Sequence, residues 1–266
     1  MPRRTHRLRN VALVFLCLAA LLVVTGLMLK PKSGPARIQA QPSLVGISAG
    51  GSYAWILRTG SGAVLIDAGM DAKGKAILAE LQTEGLTADS VHAIFLTHGH
   101  ADHWAAAALF PNAVTYLGPG DRGWLLGTTV SRSAVLRTLS RLFPHSSLPA
   151  HLVELRGDEA AHPDGETIQV VRLPGHTEGS LAFLWKDTLF TGDSLLKKDD
   201  AHYRLSPSFF SDDPAQNLES LQVLKSLRFT QTADGHAGLM TDAKPKLEAF
   251  LGAATPAAGG SGSSRP

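Results

Sequence analysis

Residues 96–106, LTHGHADHWAA, bring His98, His100, Asp102 and His103 within six residues of one another. Imidazole nitrogen and carboxylate oxygen are the usual protein ligands of divalent metals when no thiolate takes part. His98 and His100 stand two apart as the chain leaves the apolar run VHAIFLT, so both side chains fall on one face of an extended segment. Asp102 and His103 follow at the start of the next helical stretch, turned towards a second point nearby. One short loop can therefore serve two neighbouring ions. Three more candidates sit just after strand-like runs: His176 in RLPGHTEGS, Asp193 in LFTGDSL and His236 in QTADGHAG. Any one of these is an ordinary turn residue by itself. Together, five histidines and two aspartates at matching positions describe a metal centre.

Such a centre needs a scaffold that delivers four loops to one place. Short β-like runs come first, SLVGI, YAWILRT and AVLIDAG, followed by an amphipathic helix over residues 73–84 with Ile77, Leu78 and Leu81 on one face. VHAIFLT and AVTYLG read as further strands, ADHWAAAALF as a helix stopped before Pro111, and residues 131–143 as another helix. The second half follows the same plan, with HLVEL, TIQVVRL, SLAFLW, DTLFTG and RFTQTA as strands and PAQNLESLQVLKSL and DAKPKLEAFL as helices. Strand-rich blocks joined by helices in two comparable halves imply an α/β fold of two sheets packed face to face with helices outside, an αββα sandwich.

The chain has 266 residues and a formal net charge of +2, with Arg3, Arg4, Arg7 and Arg9 crowded at the start. The other basic residues are dispersed without aromatic interleaving, which argues against a nucleic-acid surface. Residues 11–29 carry no charge, enough at about 1.5 Å per residue to cross a hydrocarbon layer of roughly 30 Å. With arginines before the segment and Lys30 and Lys32 after it, the expectation is a single-pass anchor that leaves the rest of the chain outside the cytoplasm. The competing reading is a signal peptide cleaved after IQA at residues 38–40, which gives a secreted or periplasmic protein. Cys17, the single cysteine, lies in this segment and supplies neither an intramolecular disulfide nor a thiolate zinc site. The expected organisation is a basic stub and anchor over 1–29, a linker over 30–42, a catalytic domain over 43–252 and a disordered tail over 253–266.

On HGHADH, His176, Asp193 and His236, in that order, the chain resembles the metallo-β-lactamase fold superfamily of metallohydrolases. HGHADH fits that family's HxHxDH motif without departure, and Asp67 in LIDAG fits an acidic residue that supports the site from behind. The resemblance implies that His98, His100 and His176 hold one metal, that Asp102, His103 and His236 hold a second, and that Asp193 bridges them. Two Zn2+ ions are the first expectation, and Fe or Mn would also suit these ligands.

The expected activity is hydrolysis of an ester, thioester, lactone or related bond in a small-molecule substrate by a hydroxide bridging the metals, with no serine or cysteine nucleophile. Asp102 is also the candidate catalytic residue, orienting the nucleophile or passing a proton to the leaving group. Residues 195–213 follow Asp193 and form a candidate rim, with His202 and Tyr203 as candidate substrate contacts. Two alternatives come from the same motif: a β-lactamase using the three-His plus Asp-His-His dizinc set, and an iron-dependent sulfur dioxygenase. A glyoxalase II is less attractive, because that family's resemblance calls for a further helical glutathione-binding region after the last ligand. His6, His92, His145, His151 and His162 belong to no ligand pattern, and Trp104 reads as helix packing.

Overall fold

Strand β3 (Tyr53–Arg58) shows how the layers form. Tyr53, Trp55 and Leu57 face one way and Ala54 and Ile56 the other, and both sets are buried. A strand with apolar residues on both faces must be covered on both sides. The computed structural model describes residues 34–129, 131–133, 136–137, 146–157 and 159–254. The 11–29 segment, the 253–266 tail beyond Ala254 and most of the helix expected over 131–143 lie outside the described residues. Among the described residues no helix is long and apolar enough to cross a membrane.

Among those residues a seven-stranded sheet runs β1 (Arg37–Gln41), β2 (Leu44–Ser48), β3, β4 (Ala63–Ile66), β5 (Val91–Phe95), β6 (Val114–Leu117) and β7 (His151–Glu154). Its first four strands pair antiparallel, and β4 to β7 pair parallel. A second, six-stranded sheet has the order β15 (Leu239–Met240), β14 (Gln231–Asp234), β11 (Thr188–Gly192), β10 (Leu181–Trp185), β9 (Ile168–Arg172) and β8 (Ala160–Ala161). Between the sheets lie Trp55, Leu57, Ile66 and Phe95 from the first and Val170, Phe183, Trp185 and Phe190 from the second. The outer face of the first sheet packs Ile56, Leu65 and Ile94 against Ile77 and Leu81 of helix α1 (Lys75–Thr83). The outer face of the second packs Ala182 and Leu189 with Leu247 and Leu251 of the C-terminal helix, Ala243–Ala254. Three apolar layers separating four structural ones are the αββα sandwich.

Several boundaries differ from expectation. Residues 37–41, expected within a linker, form edge strand β1, in which Arg37 pairs with Ile47 and Ile38 with Gly46. Ile38 and Ala40 pack towards the inter-sheet core, an alternation that the neighbouring Pro, Lys and Gln conceal. The helix expected over residues 101–110 is a single turn, α2 (Ala101–Trp104), followed by a 3-10 turn at Ala107–Leu109. The helix expected over 214–227 is α-helical only across Pro214–Ser220 and tightens to 3-10 geometry over Leu221–Ser226. Residues 195–213 contain the small hairpin β12 (Leu196–Lys197) and β13 (Tyr203–Arg204).

Candidate metal centre

Every proposed ligand lies beyond the carboxyl end of a strand, and at that edge the sheets are tied together. Leu181 N–H donates to the Thr97 carbonyl at 2.8 Å and Tyr53 N–H to the Gly235 carbonyl at 2.7 Å, while Gly235 N–H donates to Gly192 at 3.0 Å and joins the β11 and β14 loops within the second sheet. The loops after β5, β9, β11 and β14 therefore converge, bringing His98, His100, Asp102, His103, His176, Asp193 and His236 together.

Within this cluster His176 Nε2 lies 3.2 Å from His98 Nε2 and 3.0 Å from His100 Nδ1. Ligands at roughly 2.0–2.1 Å in tetrahedral arrangement about zinc sit about 3.3 Å from each other, so these three nitrogens fit one ion. Asp102 Oδ2 lies 3.6 Å from His103 Nε2 and 3.5 Å from His236 Nε2, making a second group. Asp193 reaches both: its Oδ2 is 3.8 Å from His176 Nε2 and 3.0 Å from His236 Nε2, and its Oδ1 is 3.5 Å from His103 Nε2. His103 Nε2 and Asp193 Oδ1 are buried without a hydrogen-bond partner. Buried polar atoms left facing one another call for a cation or a proton between them, so the donor set fits a metal.

For His98, His103, His176 and His236 a contact on the far side of the ring fixes which nitrogen points inward. Asp67, just after β4, accepts from His103 Nδ1 at 2.8 Å and from Thr97 N and Oγ1, both at 2.8 Å. Thr97 Oγ1 in turn faces His98 Nδ1 at 3.1 Å. One carboxylate thus leaves Nε2 of His98 and of His103 free for the centre, as outer hydrogen bonds do in metal sites. His236 Nδ1 donates to the Gly51 carbonyl at 2.9 Å, and His176 Nδ1 faces Ser211 Oγ at 3.1 Å. Asp67 takes its position behind the ligands with a left-handed backbone, φ +59°.

Two candidate substrate contacts lie elsewhere. Tyr203 is buried in the outer core, its hydroxyl 2.8 Å from Thr232 Oγ1 and its ring against Phe250. Its place in β13 turns it inward, so it does not line the rim. His202 is exposed and closes a turn with Asp199 through Nδ1 at 2.8 Å, with no bond to the metal-ligand cluster. Trp104 packs as expected and also donates from Nε1 to the Gly99 carbonyl at 3.1 Å.

Some supporting residues escape a reading of the sequence. Asp234 is buried, and its Oδ1 accepts from the backbone N–H of His236, Ala237 and Gly238, shaping the last ligand turn. Asn217 donates from Nδ2 to the Ser194 carbonyl beside Asp193. Asp121 follows β6 and accepts from Gly99 N, Thr177 Oγ1 and Gly179 N. Burial pushes Asp121 up to about 6 while those donors work against the rise. Only Asp234 leaves a signal in the sequence, an Asp two residues before a candidate ligand in a glycine-rich turn.

Without metal, protons and carboxylates share the centre unevenly. Burial, then the neighbouring imidazoles, holds His98 and His176 well below the usual histidine range. Burial also works to lower His103, but Asp102, Asp67 and Asp193 outweigh it and hold it up to about 9. For His236 burial is outweighed in the same way, chiefly by Asp193, and the pKa is about 10. A histidine whose folded pKa is raised stabilises the fold fully below its unfolded value of about 6.5 and loses that contribution as pH rises through the folded value. Metal must displace these protons, so its stabilisation should grow over the same window. The expected result is a gap in Tm between metal-loaded and chelator-treated protein that widens from about pH 6.5 to about pH 8.5. A gap that is constant or narrows would contradict these proton positions.

The model of the metallo-beta-lactamase superfamily matches residues 47–232. A hydroxyacylglutathione hydrolase of Synechococcus sp. is 32% identical over 168 residues, covering 59% of this chain and 53% of that protein. The chain spans about half the length of the hydroxyacylglutathione hydrolases it matches. Among solved structures, the metallo-beta-lactamase family protein TTHA1429 from Thermus thermophilus is 23% identical with a TM-score of 0.61, covering 80% of this chain and 79% of that one. TTHA1623, solved in a di-iron-bound form, is 30% identical with a TM-score of 0.56, covering 73% and 91% respectively.

Proposed function

Since the chain belongs to the metallo-β-lactamase superfamily, we propose that it is a dinuclear metal-dependent hydrolase of acyl compounds, with thioesters the first substrate class. The observation that carries this reading is the pair of ligand groups joined by Asp193. Similarity to proteins named hydroxyacylglutathione hydrolase favours a thioester over a lactone or simple ester. When bound, two divalent ions would supply Lewis acidity and lower the pKa of water to about 7, enough to make a nucleophile near neutral pH.

The chain's own residues hold and orient. His98, His100 and His176 would present neutral imidazoles to one ion, Asp102, His103 and His236 would hold the other, and Asp193 would serve both. Asp102 is the more exposed of the two ligand carboxylates, its side chain 31% accessible against 10% for Asp193. It is placed to meet substrate and, through Oδ1, the oxygen turned away from His103 and His236, to take a proton from the attacking water and pass it to the leaving group. Zinc is the proposed metal on nitrogen and oxygen ligands without thiolate. The membrane-tethered, extracytoplasmic placement read from residues 1–32 belongs to the same proposal.

The test is metal analysis of the purified protein followed by assay against acyl-thioesters, esters, lactones, phosphodiesters and nitrocefin, with oxygen uptake recorded. Thioester turnover dependent on zinc, without oxygen consumption, is the expected result. Preferential nitrocefin hydrolysis would replace this reading with a β-lactamase, and oxygen uptake with bound iron would replace it with a dioxygenase. Less than one metal per chain after reconstitution would sink the dinuclear centre.

A further inference from the structure

Asp121 is a buried carboxylate outside both ligand groups, yet it touches the two loops that build the three-histidine half. Its Oδ2 accepts from Gly99 N at 2.7 Å, between His98 and His100, and from Thr177 Oγ1 at 2.7 Å, next to His176. Its Oδ1 accepts from Gly179 N at 2.9 Å, further along the His176 loop. Those loops come from different sheets, after β5 and after β9. We propose that Asp121 is a positioning residue for the first metal: its carboxylate fastens the two loops so that His98, His100 and His176 converge. This rests on the reading of the cluster as a metal centre.

The surroundings are built for that contact. A Cβ at Gly99 would lie 2.9 Å from the Asp121 carbonyl oxygen and 2.7 Å from Trp124 Cβ. At Gly179 it would lie 2.6 Å from Asp121 Cγ and 2.7 Å from the Pro119 carbonyl oxygen. Both glycines let a backbone amide approach the carboxylate more closely than any larger residue allows. The chemistry is selective as well. Both oxygens receive donors, and only a carboxylate accepts at both ends. Asparagine would turn an NH2 group towards a donor at one end, either the Gly179 amide or the Gly99 and Thr177 pair.

The second half of the centre is held independently. His103 is oriented by Asp67, and the His236 turn by Asp234 and the Gly51 carbonyl. Loss of Asp121 should therefore weaken one metal and spare the other, which a general loss of folding would not do.

The test is titration of the full-length, metal-free protein with cobalt(II), following d–d absorption for each site, in wild type and in Asp121→Asn, Thr177→Val and Thr177→Ser. Wild type should bind two ions. Asp121→Asn should keep one at wild-type affinity and bind the other roughly 10–100-fold more weakly, the usual cost of losing an outer partner. Thr177→Val removes a single donor and should give a smaller loss at the same site, while Thr177→Ser restores it and keeps the proposal testable if Asp121→Asn does not fold. Equal affinities at both sites in Asp121→Asn and Thr177→Val, or equal weakening of both, would overturn the positioning role. Failure of wild type to bind cobalt would instead overturn the metal centre itself.

Discussion

With Asp193 replaced by alanine, hydrolysis should fall by more than roughly 100-fold, beyond the range for losing an outer-sphere partner. Its carboxylate reaches both ligand groups: Oδ2 lies near His176 of the first and His236 of the second, and Oδ1 near His103 of the second. Removing them takes one ligand from each proposed ion and exposes the imidazoles to one another without the carboxylate that balances them. The variant should also hold fewer than two metals per chain. Steady-state kcat/KM on the best substrate, paired with metal quantification, checks both parts. Full activity with two metals bound would exclude a bridging role.

The largest stability effect is expected at Phe95→Ala, a loss of about 3–5 kcal/mol as for other large core truncations. Phe95 is fully buried at the end of β5. Its ring stacks on Tyr116 at 4.8 Å and meets Phe183 of the opposite sheet edge-on at 5.3 Å. Truncation opens a cavity between the sheets three residues before His98. Urea unfolding of metal-free wild type and variant gives the difference, with an unchanged slope showing that the same surface is exposed. A change below about 1 kcal/mol would mean that the sheets close over the gap.

The proposed ligands are readable in the sequence because their chemistry is local. Four occupy one six-residue loop, and the others follow apolar runs with strand patterning. What holds the ligands is much less readable. Asp121 stands in GPGDRG, where an aspartate is an ordinary turn former, and its partners at Gly99 and Gly179 are backbone amides that no residue type announces. Tyr203 misleads in the opposite direction: an aromatic near charged loop residues suggests a rim, whereas pairing with β12 turns it into the core. The β1 strand is hidden by its flanks, since two apolar positions in RIQAQ are too few to outweigh a Pro- and Lys-rich approach. Helix lengths near residues 101–110 and 214–227 depend on tertiary packing, which shortens helices that patterning alone would continue.

The backbone bonds that join the two sheets at the ligand edge also set an order of assembly. The first loop ends at His103, while the last ligand, His236, arrives more than a hundred residues later in the chain. Neither proposed ion can gain its full set from the amino-terminal half: one waits for His176 and both wait for Asp193. On the proposed ligand set, metal capture would be a late event that rewards a chain only after its halves have docked. Incomplete or misdocked chains would hold metal weakly, so loading itself distinguishes finished molecules from unfinished ones.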